Sequence, residues 1–360
     1  MKFNDKEWSV YKGNTLSVEI FGASHSPEIG VKVRGLKGKT FNCGELDEFM
    51  SRRRAKLTAY STKRLEQDKI IFEKGFKNGT IGKELKAVIK NNKQRSQDYQ
   101  NMAKIPRPSH ADFVAWSKYG DGFDARGGGK FSGRLTAPMC IVGGICKQIL
   151  EEKGIKINAF ISSIGSIQGK TYNDIEVEIF DFSALTPNFP AIDKADKMLS
   201  LIEKIASQGD SIGGKIDCVI TGMPVGAGEY MFDSIESIIS HLAFAVPAVK
   251  GIEFGQGFKL SEMQGSQAND AFYYDKEVVK TKTNNNGGIN GGLSNGMPIT
   301  FRVAIKPTPS IMLEQDTVDL INKVDTKIKI GGRHDACIVP RAVPVIEAIT
   351  AIAIYDILGE

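Results

Sequence analysis

The stretch from Ala342 to Leu358, AVPVIEAITAIAIYDIL, sets the tightest limit on what this chain can fold into. It has the length of a helix and is apolar almost all the way round. A surface helix keeps a polar face toward water, so a helix without one is expected to be buried. The chain has 360 residues, enough to build layers around such a helix.

The material for those layers is legible as periodicity. Leu16 to Phe21 and Ile29 to Val33 alternate as half-buried strands do. Lys69 to Phe76 and Lys83 to Lys90 read as two strands joined around Asn78-Gly79, a strong hairpin signal. Further strands are expected over Ile155 to Ile167 and Lys215 to Ile220, and over Ile299 to Ile305, where every second residue is apolar. Asn42 to Arg54 reads as a helix with Asn42 as its N-cap. Leu135, Met139, Val142, Cys146, Ile149 and Leu150 mark another, with Pro138 in its first turn and Gly154 past its end. Two amphipathic helices are expected, Lys194 to Ser207 and Ser234 to Val246, the second capped by Asp233. No internal repeat or linker divides the chain, so residues 1–360 are expected to form one large domain of mixed helix and strand.

Composition narrows the function classes. Apolar residues at 41% and charged residues at 25% are ordinary for a soluble globular protein. No apolar run approaches a membrane span, and the start, MKFNDKEW, lacks the apolar segment of a secretory signal. The five cysteines are scattered and form no CxxC pair, which points to a reducing cytoplasm and to neither zinc nor disulfides. A net charge of +5 is too diffuse to argue for nucleic acid. It is compatible with an anionic small substrate.

Periodicity vanishes between Asn91 and Gly129, where QRSQDY, IPRPSHAD and DARGGGKFSGR occur, and again over Asn284 to Gly296, NNNGGINGGLSNG. Three of the four histidines, His25, His110 and His334, lie in short loops beside Arg, Asp or Ser. Loops are where catalytic groups are usually carried. His241 is embedded in an amphipathic pattern and reads as an interfacial helix residue. Arginines gather in the same loops: Arg95, Arg107, Arg126, Arg134, Arg333 and Arg341, with Arg52, Arg53 and Arg54 ending a helix. Guanidinium forks bind phosphate and carboxylate, and glycines let backbone N–H groups approach an anion. For Arg52 to Arg54, compensation of the helix dipole is an equal reading. The pattern suits a small polyanionic substrate with histidines to move protons. The P-loop spacing and the dinucleotide fingerprint are both absent, as are HxxxH and HxH, and no metal site is expected.

GNTLSVEIFGASHS, NKQRSQDY, RPSHAD, DARGGGKFSGRLTA, AVKGIEFGQGF, NNNGGINGGLSNG, IKPTPSI and GGRHDACIVPRAVPVIEA together resemble the successive motifs of chorismate synthase, in family order over nearly the whole chain. The resemblance implies an α+β fold, a helical layer sandwiched between antiparallel β-sheets. It implies a lyase that converts 5-enolpyruvylshikimate 3-phosphate to chorismate by anti-1,4 elimination of phosphate, the last common step of aromatic amino acid biosynthesis. Reduced FMN is the implied cofactor, with NADPH as a reductant, and the family forms homotetramers. Carried over by motif, His25 protonates the departing phosphate, His110 keeps reduced flavin in its working protonation state, and Asp335 assists removal of the ring proton. The implied flavin contacts are Lys130, Phe131, Ser132, Pro247, Ala248, Gly291, Lys306, Pro307, Thr308, Pro309, Ser310 and Arg333. The implied substrate contacts are Ser24, Arg53, Arg107, Arg134 and Arg341.

The sequence departs from the family pattern at several points. Ala23 and Ser26 replace the Glu and Gly that flank the first Ser-His pair. Ala55, Lys56 and Ala59 stand where a Pro-Gly turn and a further arginine are expected; either Lys56 or Arg64 supplies that cation, or the affinity or substrate differs. Lys130 and Phe131 replace Arg-Ser before Ser132, and Leu135 replaces a Glu. The proton-handling residues remain, which favours a working enzyme over a flavin- or anion-binding relative without turnover. An RNA-binding protein would need aromatic residues among its basic stretches, and there are few.

Overall fold

The computed structural model describes residues 8–54, 67–91, 104–120, 124, 126–331 and 335–359. The chain opens with a hairpin, β1 (Ser9–Lys12) and β2 (Ser17–Gly22), followed by β3 (Glu28–Arg34) and α1 (Cys43–Arg53). After β4 (Ile70–Lys77) and β5 (Thr80–Lys90) come α2 (Asp112–Tyr119) and α3 (Thr136–Glu151). β6 (Lys156–Ile164), the short β7 (Ile167–Gln168), α4 (Ala195–Ser207) and β8 (Gly214–Thr221) follow. The last third holds α5 (Ile235–Ala245), β9 (Val249–Phe254), the single turn α6 (Gly265–Ala268) and two small hairpins. These are β10 (Phe272–Asp275) with β11 (Val278–Thr281), and β12 (Ile289–Asn290) with β13 (Leu293–Ser294). β14 (Ile299–Ile305), the hairpin β15 (Glu314–Asp319) and β16 (Val324–Lys329), and α7 (Val339–Leu358) complete it.

Two five-stranded sheets, ordered β1-β2-β3-β5-β4 and β7-β6-β8-β14-β9, pair antiparallel throughout. Register places the apolar set of the first sheet on one face, whereas the second is buried on both, Phe160 and Val219 packing with Tyr172 on the side away from the main core. In the first sheet Val33 pairs with Val18 and with Leu85, and Val31 with Ile20 and Ala87. In the second, Phe301 pairs with Cys218 and Val303 with Ile216. The helical layer lies between. α3 packs under β3 and β5, α7 over β6 and β8, and α1 and α5 flank α7. The expected β-α-β sandwich is the observed fold. α7 is buried along its length except at Arg341, Ile357 and Leu358, and each of its fully buried isoleucines contributes about 1.5–3 kcal/mol.

Two acids sit on this apolar helix, and both are satisfied, as buried carboxylates must be. Glu347 takes both forks of Arg52, each at 2.8 Å, and the Ala159 amide at 3.2 Å. Asp356 accepts from Tyr11 Oη and from the amides of Asn14, Thr15 and Leu16, at 2.7–3.0 Å. It thereby ties the β1–β2 turn to the end of α7. α3 meets α7 at Gly143, where a Cβ would overlap Ala348, and meets α1 at Gly144, where it would lie 2.6 Å from Leu46.

Several sequence expectations are corrected. α2 lies inside the stretch read as aperiodic. It buries Asp112 and Ala115 while exposing Phe113 and Val114, which inverts the pattern that reveals a helix. Ile155 to Ile167 is not one strand. The chain reverses at Gly165, φ 52°, and Ile167 pairs back with Ile164. The cap of α5 is Ser234, whose side chain accepts from the Ser237 amide, rather than Asp233. Asn284 to Gly296, where periodicity vanishes, nevertheless packs: Ile289, Asn285 and Ser294 are buried and β12–β13 is a tight hairpin. Arg341 lies in the first turn of α7 rather than in a loop.

Candidate active site

The ends of β2, β5 and β14, the C-terminus of α1 and the N-termini of α3 and α7 meet at one end of the sandwich. Helix N-termini favour negative charge through their unpaired N–H groups. Loops carrying the candidate residues fill this end, around the turn at Gly127, Gly128 and Gly129, all with positive φ.

His25 lies in the β2–β3 loop and is buried. Its Nδ1 is 3.0 Å from the Arg126 carbonyl, and the Ser24 amide donates to the Gly129 carbonyl at 3.1 Å. A carbonyl only accepts, so Nδ1 carries the hydrogen in that bond. Gly127 lies against this ring: a Cβ there would be 2.5 Å from Cε1. Gly128 does the same for His110, where a Cβ would be 3.3 Å from Nε2. The two histidines therefore face neighbouring glycines of one turn.

His110 belongs to a closed network. Its Nδ1 is 2.7 Å from Asp112 Oδ1, and Asp112 also takes Arg107 Nε at 2.7 Å and Nη2 at 2.8 Å. Burial alone would raise the Asp112 carboxyl, but hydrogen bonds from Arg107 and His110 outweigh it and hold the carboxyl far below its usual range. Arg107 Nη1 reaches Ser310 Oγ at 3.1 Å, and Lys306 Nζ reaches the Ser109 carbonyl at 2.7 Å. These bonds fasten the segment Lys306, Pro307, Thr308, Pro309 and Ser310 to the histidine loop. Burial and neighbouring Lys250 lower the Lys306 ammonium.

A second network runs behind His25. Asp68, buried and at φ 46°, bridges Arg53 Nη1 at 3.0 Å and Arg134 Nη1. Arg53 also donates to Thr136 Oγ1 at 2.9 Å and to the Gly133 carbonyl at 3.0 Å. Burial lowers its guanidinium to about 10, with Asp68 opposing and Arg341 and Arg134 adding to the shift, so it remains a cation at neutral pH. Arg134 Nε donates to Asn91 Oδ1 at 3.2 Å, and the Asn91 amide holds the Ser26 carbonyl at 2.8 Å. Arg341 donates to the Arg53 carbonyl at 3.1 Å and to Asp335 Oδ2 at 2.8 Å, while Thr308 Oγ1 donates to the Asp335 carbonyl at 2.9 Å.

His25, His110, Asp335, Ser24, Arg53, Arg107, Arg134, Arg341, Ser132 and the 306–310 segment thus converge. Of the expected substrate contacts, Ser24, Arg53, Arg107 and Arg134 are buried, and the Arg341 side chain is 27% exposed. Lys130 Nζ stands 4.3 Å over the Tyr119 ring, with Phe131 beside it. Ala248, φ 75°, accepts from the Lys306 amide at 2.9 Å and follows Pro247 at the far end of α5. Gly291 does not join them. The Gly292 carbonyl accepts from the Ile235 amide at the start of α5, so Gly291 lies a helix length, about 16 Å, from Ala248. Arg333, His334, Lys56, Ala59, Arg64 and Arg95 lie outside the described residues. Asp68, Asp112 and Asn91 escaped the sequence reading. Asp112 is part of the RPSHAD motif and was legible there as the partner a loop arginine and histidine need; Asp68 carries no local signal.

An antiparallel sandwich with a pole of guanidiniums, two histidines and a carboxylate defines a class, that of enzymes acting on a small polyanion without a dinucleotide-binding crossover. The sequence model of the family described as chorismate synthase matches residues 16–358. A chorismate synthase of Dehalococcoides mccartyi is 41% identical over 349 residues, 96% of this chain and 95% of that protein. One of Thermococcus gammatolerans is 40% identical over 347 residues, 96% of each. A crystal structure of chorismate synthase superposes with a TM-score of 0.74 at 26% identity, covering 96% of this chain and 92% of that one. The chain belongs to the chorismate synthase family. Membership implies a flavin cofactor.

Proposed function

We propose that the pole around the triple-glycine turn is the active site of a lyase that eliminates phosphate from 5-enolpyruvylshikimate 3-phosphate to give chorismate, with reduced FMN as its flavin. The observation that carries this reading is the seating of His25 and His110 against Gly127 and Gly128 of one turn, inside a ring of guanidiniums. In the reaction a C–O bond breaks, phosphate leaves with the electron pair, and a ring C–H proton is lost. His25, with Nδ1–H engaged by the Arg126 carbonyl, acts as the imidazolium and gives its second ring proton to the phosphate as it departs. Arg53, Arg107 and Arg134 supply fixed positive charge in a low-dielectric wall, where it acts strongly on developing negative charge. Arg341 offers a guanidinium at the rim and fixes the direction of the Asp335 carboxylate, the base for the ring proton.

The residues fit a phosphate-bearing flavin. Lys306 and Lys250 form a cationic pair beside Ala248, whose left-handed backbone holds the Lys306 amide. Lys130, Phe131, Ser132 and the 306–310 segment would hold the flavin, with Arg333. Bound there, reduced FMN would supply the electron density that breaking the allylic bond requires. NADPH as reductant, a cytoplasmic location and a homotetramer belong to the same proposal. The free thiols are in keeping with a reducing compartment, and the exposed Phe272, Tyr274 and Val278 of the β10–β11 hairpin are in keeping with assembly. No helix of the described residues is long and apolar enough to cross a membrane.

The test is anaerobic chorismate formation with photoreduced FMN. Parent protein should turn over, and His25→Ala should lose about 10²–10⁴ in rate with substrate affinity nearly intact. Flavin binding without chorismate would instead mark an anion- or flavin-binding homologue.

A further inference from the structure

We infer that Asp112 is a positioning residue for the reaction, one that fixes the tautomer of His110 and thereby aims Nε2 at the glycine turn. The inference rests on the assignment of His110 to the active site and adds a residue to it. Asp112 is 4% exposed and accepts from the Arg107 amide at 3.1 Å, from Arg107 Nε and Nη2, and from His110 Nδ1 at 2.7 Å. So many donors keep the carboxyl ionised, and an ionised carboxylate can only accept. At 2.7 Å the hydrogen must therefore reside on His110 Nδ1.

Arg107 Nη2 lies 3.1 Å from the same Nδ1. An Nδ1 that carries a hydrogen has no lone pair in the ring plane for it, so Nη2 serves Asp112 Oδ1 alone. The neutral ring is left with its lone pair on Nε2, the atom beside Gly128. Nothing else is needed to decide the tautomer. The backbone points the same way. Asp112 opens the first turn of α2, where its charge suits the helix N-terminus, and Ser109 keeps a left-handed φ of 57° that a side chain normally avoids. The loop is thus held in one conformation, with the Arg107–Asp112 pair on one side of the ring and the glycine turn on the other.

If Asp112 merely anchored Arg107, the Oδ1–Nδ1 bond would be incidental. The two roles separate by nitrogen NMR on protein labelled at histidine, with neither flavin nor substrate added. The His110 resonance is assigned from its loss in His110→Gln. At a pH where the ring is neutral, the parent should show a protonated Nδ1 and an unprotonated Nε2. In Asp112→Asn the carboxamide can donate to Nδ1, so His110 should shift toward the Nε2–H form. In Ser-His-Asp hydrolases an Asp→Asn change of this kind costs about 10⁴ in rate through the wrong histidine tautomer. Here a loss in kcat of about 10²-fold or more is expected with KM within about threefold, and Asp112→Glu should restore part of it. An Nε2–H tautomer in the parent overturns the inference without any variant having to fold. So does an unchanged tautomer in Asp112→Asn accompanied by a tenfold rise in KM, which would assign Asp112 to Arg107. If the tautomer shifts as expected while His110→Gln turns over normally, Asp112 positions the ring as inferred and the active-site assignment of His110 is what fails.

Discussion

Replacing Gly127 by alanine tests whether the glycine turn is the seat of His25. Gly127 has φ 58°, and an added methyl would lie 2.5 Å from His25 Cε1 and 2.6 Å from Ser24 Oγ. The left-handed backbone costs an L-residue about 1–2 kcal/mol, and the overlap costs about 1–3 kcal/mol in a packed site. Unfolding entropy of about 2.1 cal/mol/K per residue over 360 residues converts each kcal/mol to roughly 1.3 °C. The melting temperature should therefore fall by about 3–7 °C. The chain can relieve the overlap only by letting the His25 loop move, because Ser24 and His25 are both bonded to the glycine segment. A displacement of about 1 Å costs on the order of 10²-fold in rate, so turnover should fall far more than stability does. Gly154→Ala is the control. Gly154 is also left-handed, φ 80°, but a methyl there meets nothing within 4 Å, so it should lose about 1 kcal/mol and keep full turnover. Differential scanning calorimetry and chorismate formation on the same preparations give both quantities. A Gly127→Ala enzyme that melts lower yet turns over within threefold of the parent would refute the seating argument.

Asp335→Asn should bind flavin and substrate yet form chorismate slowly, with a larger isotope effect for substrate deuterated at the abstracted position. Weakened binding with an unchanged isotope effect would assign Asp335 to holding Arg341 instead. Gly143→Ala should destabilise by about 1–3 kcal/mol, because the methyl overlaps Ala348, while rate per folded molecule stays constant in an urea-titrated activity assay. Asp112 titrates well below its usual range in the fold, so its stabilisation is complete above the unfolded value near 3.9 and is lost as pH falls through the folded one. The stability gap between parent and Asp112→Asn should accordingly be the same at pH 7 and pH 5, and should narrow below about pH 3.9. A gap that closes between pH 7 and 5 would count against that ion pair.

The elements legible in the sequence were those whose burial is one-sided and periodic. β14 alternates along its whole length, Asn78-Gly79 marks the β4–β5 turn with φ 52° and 79°, and Asn42 caps α1 as its residue type suggests. The buried α7 was legible because it lacks a polar face. α2 was not, because its apolar Phe113 and Val114 face outward and one of its two buried residues is a charged aspartate. The 155–167 segment read as one strand because apolar character continues through Gly165, and only the left-handed turn there reverses the chain.

The site shows a sharper asymmetry. Histidines and arginines in loops announce themselves, because a substrate anion needs them and little else places them there. The carboxylates that seat those cations do not. A buried guanidinium demands a counter-charge, since unpaired it would cost several kcal/mol, so burying Arg53 and Arg134 behind His25 requires an acid between them. Sequence cannot say which, because the partner need only be close in space. Asp68 supplies it from just before β4, 66 residues ahead of Arg134 in the chain. The same logic operates locally at Arg107 and Asp112, where the acid sits within the motif and could have been paired on inspection. A site built of cations thus fixes the number of its hidden acids more firmly than their addresses, and the two found here hold the two histidine loops in place.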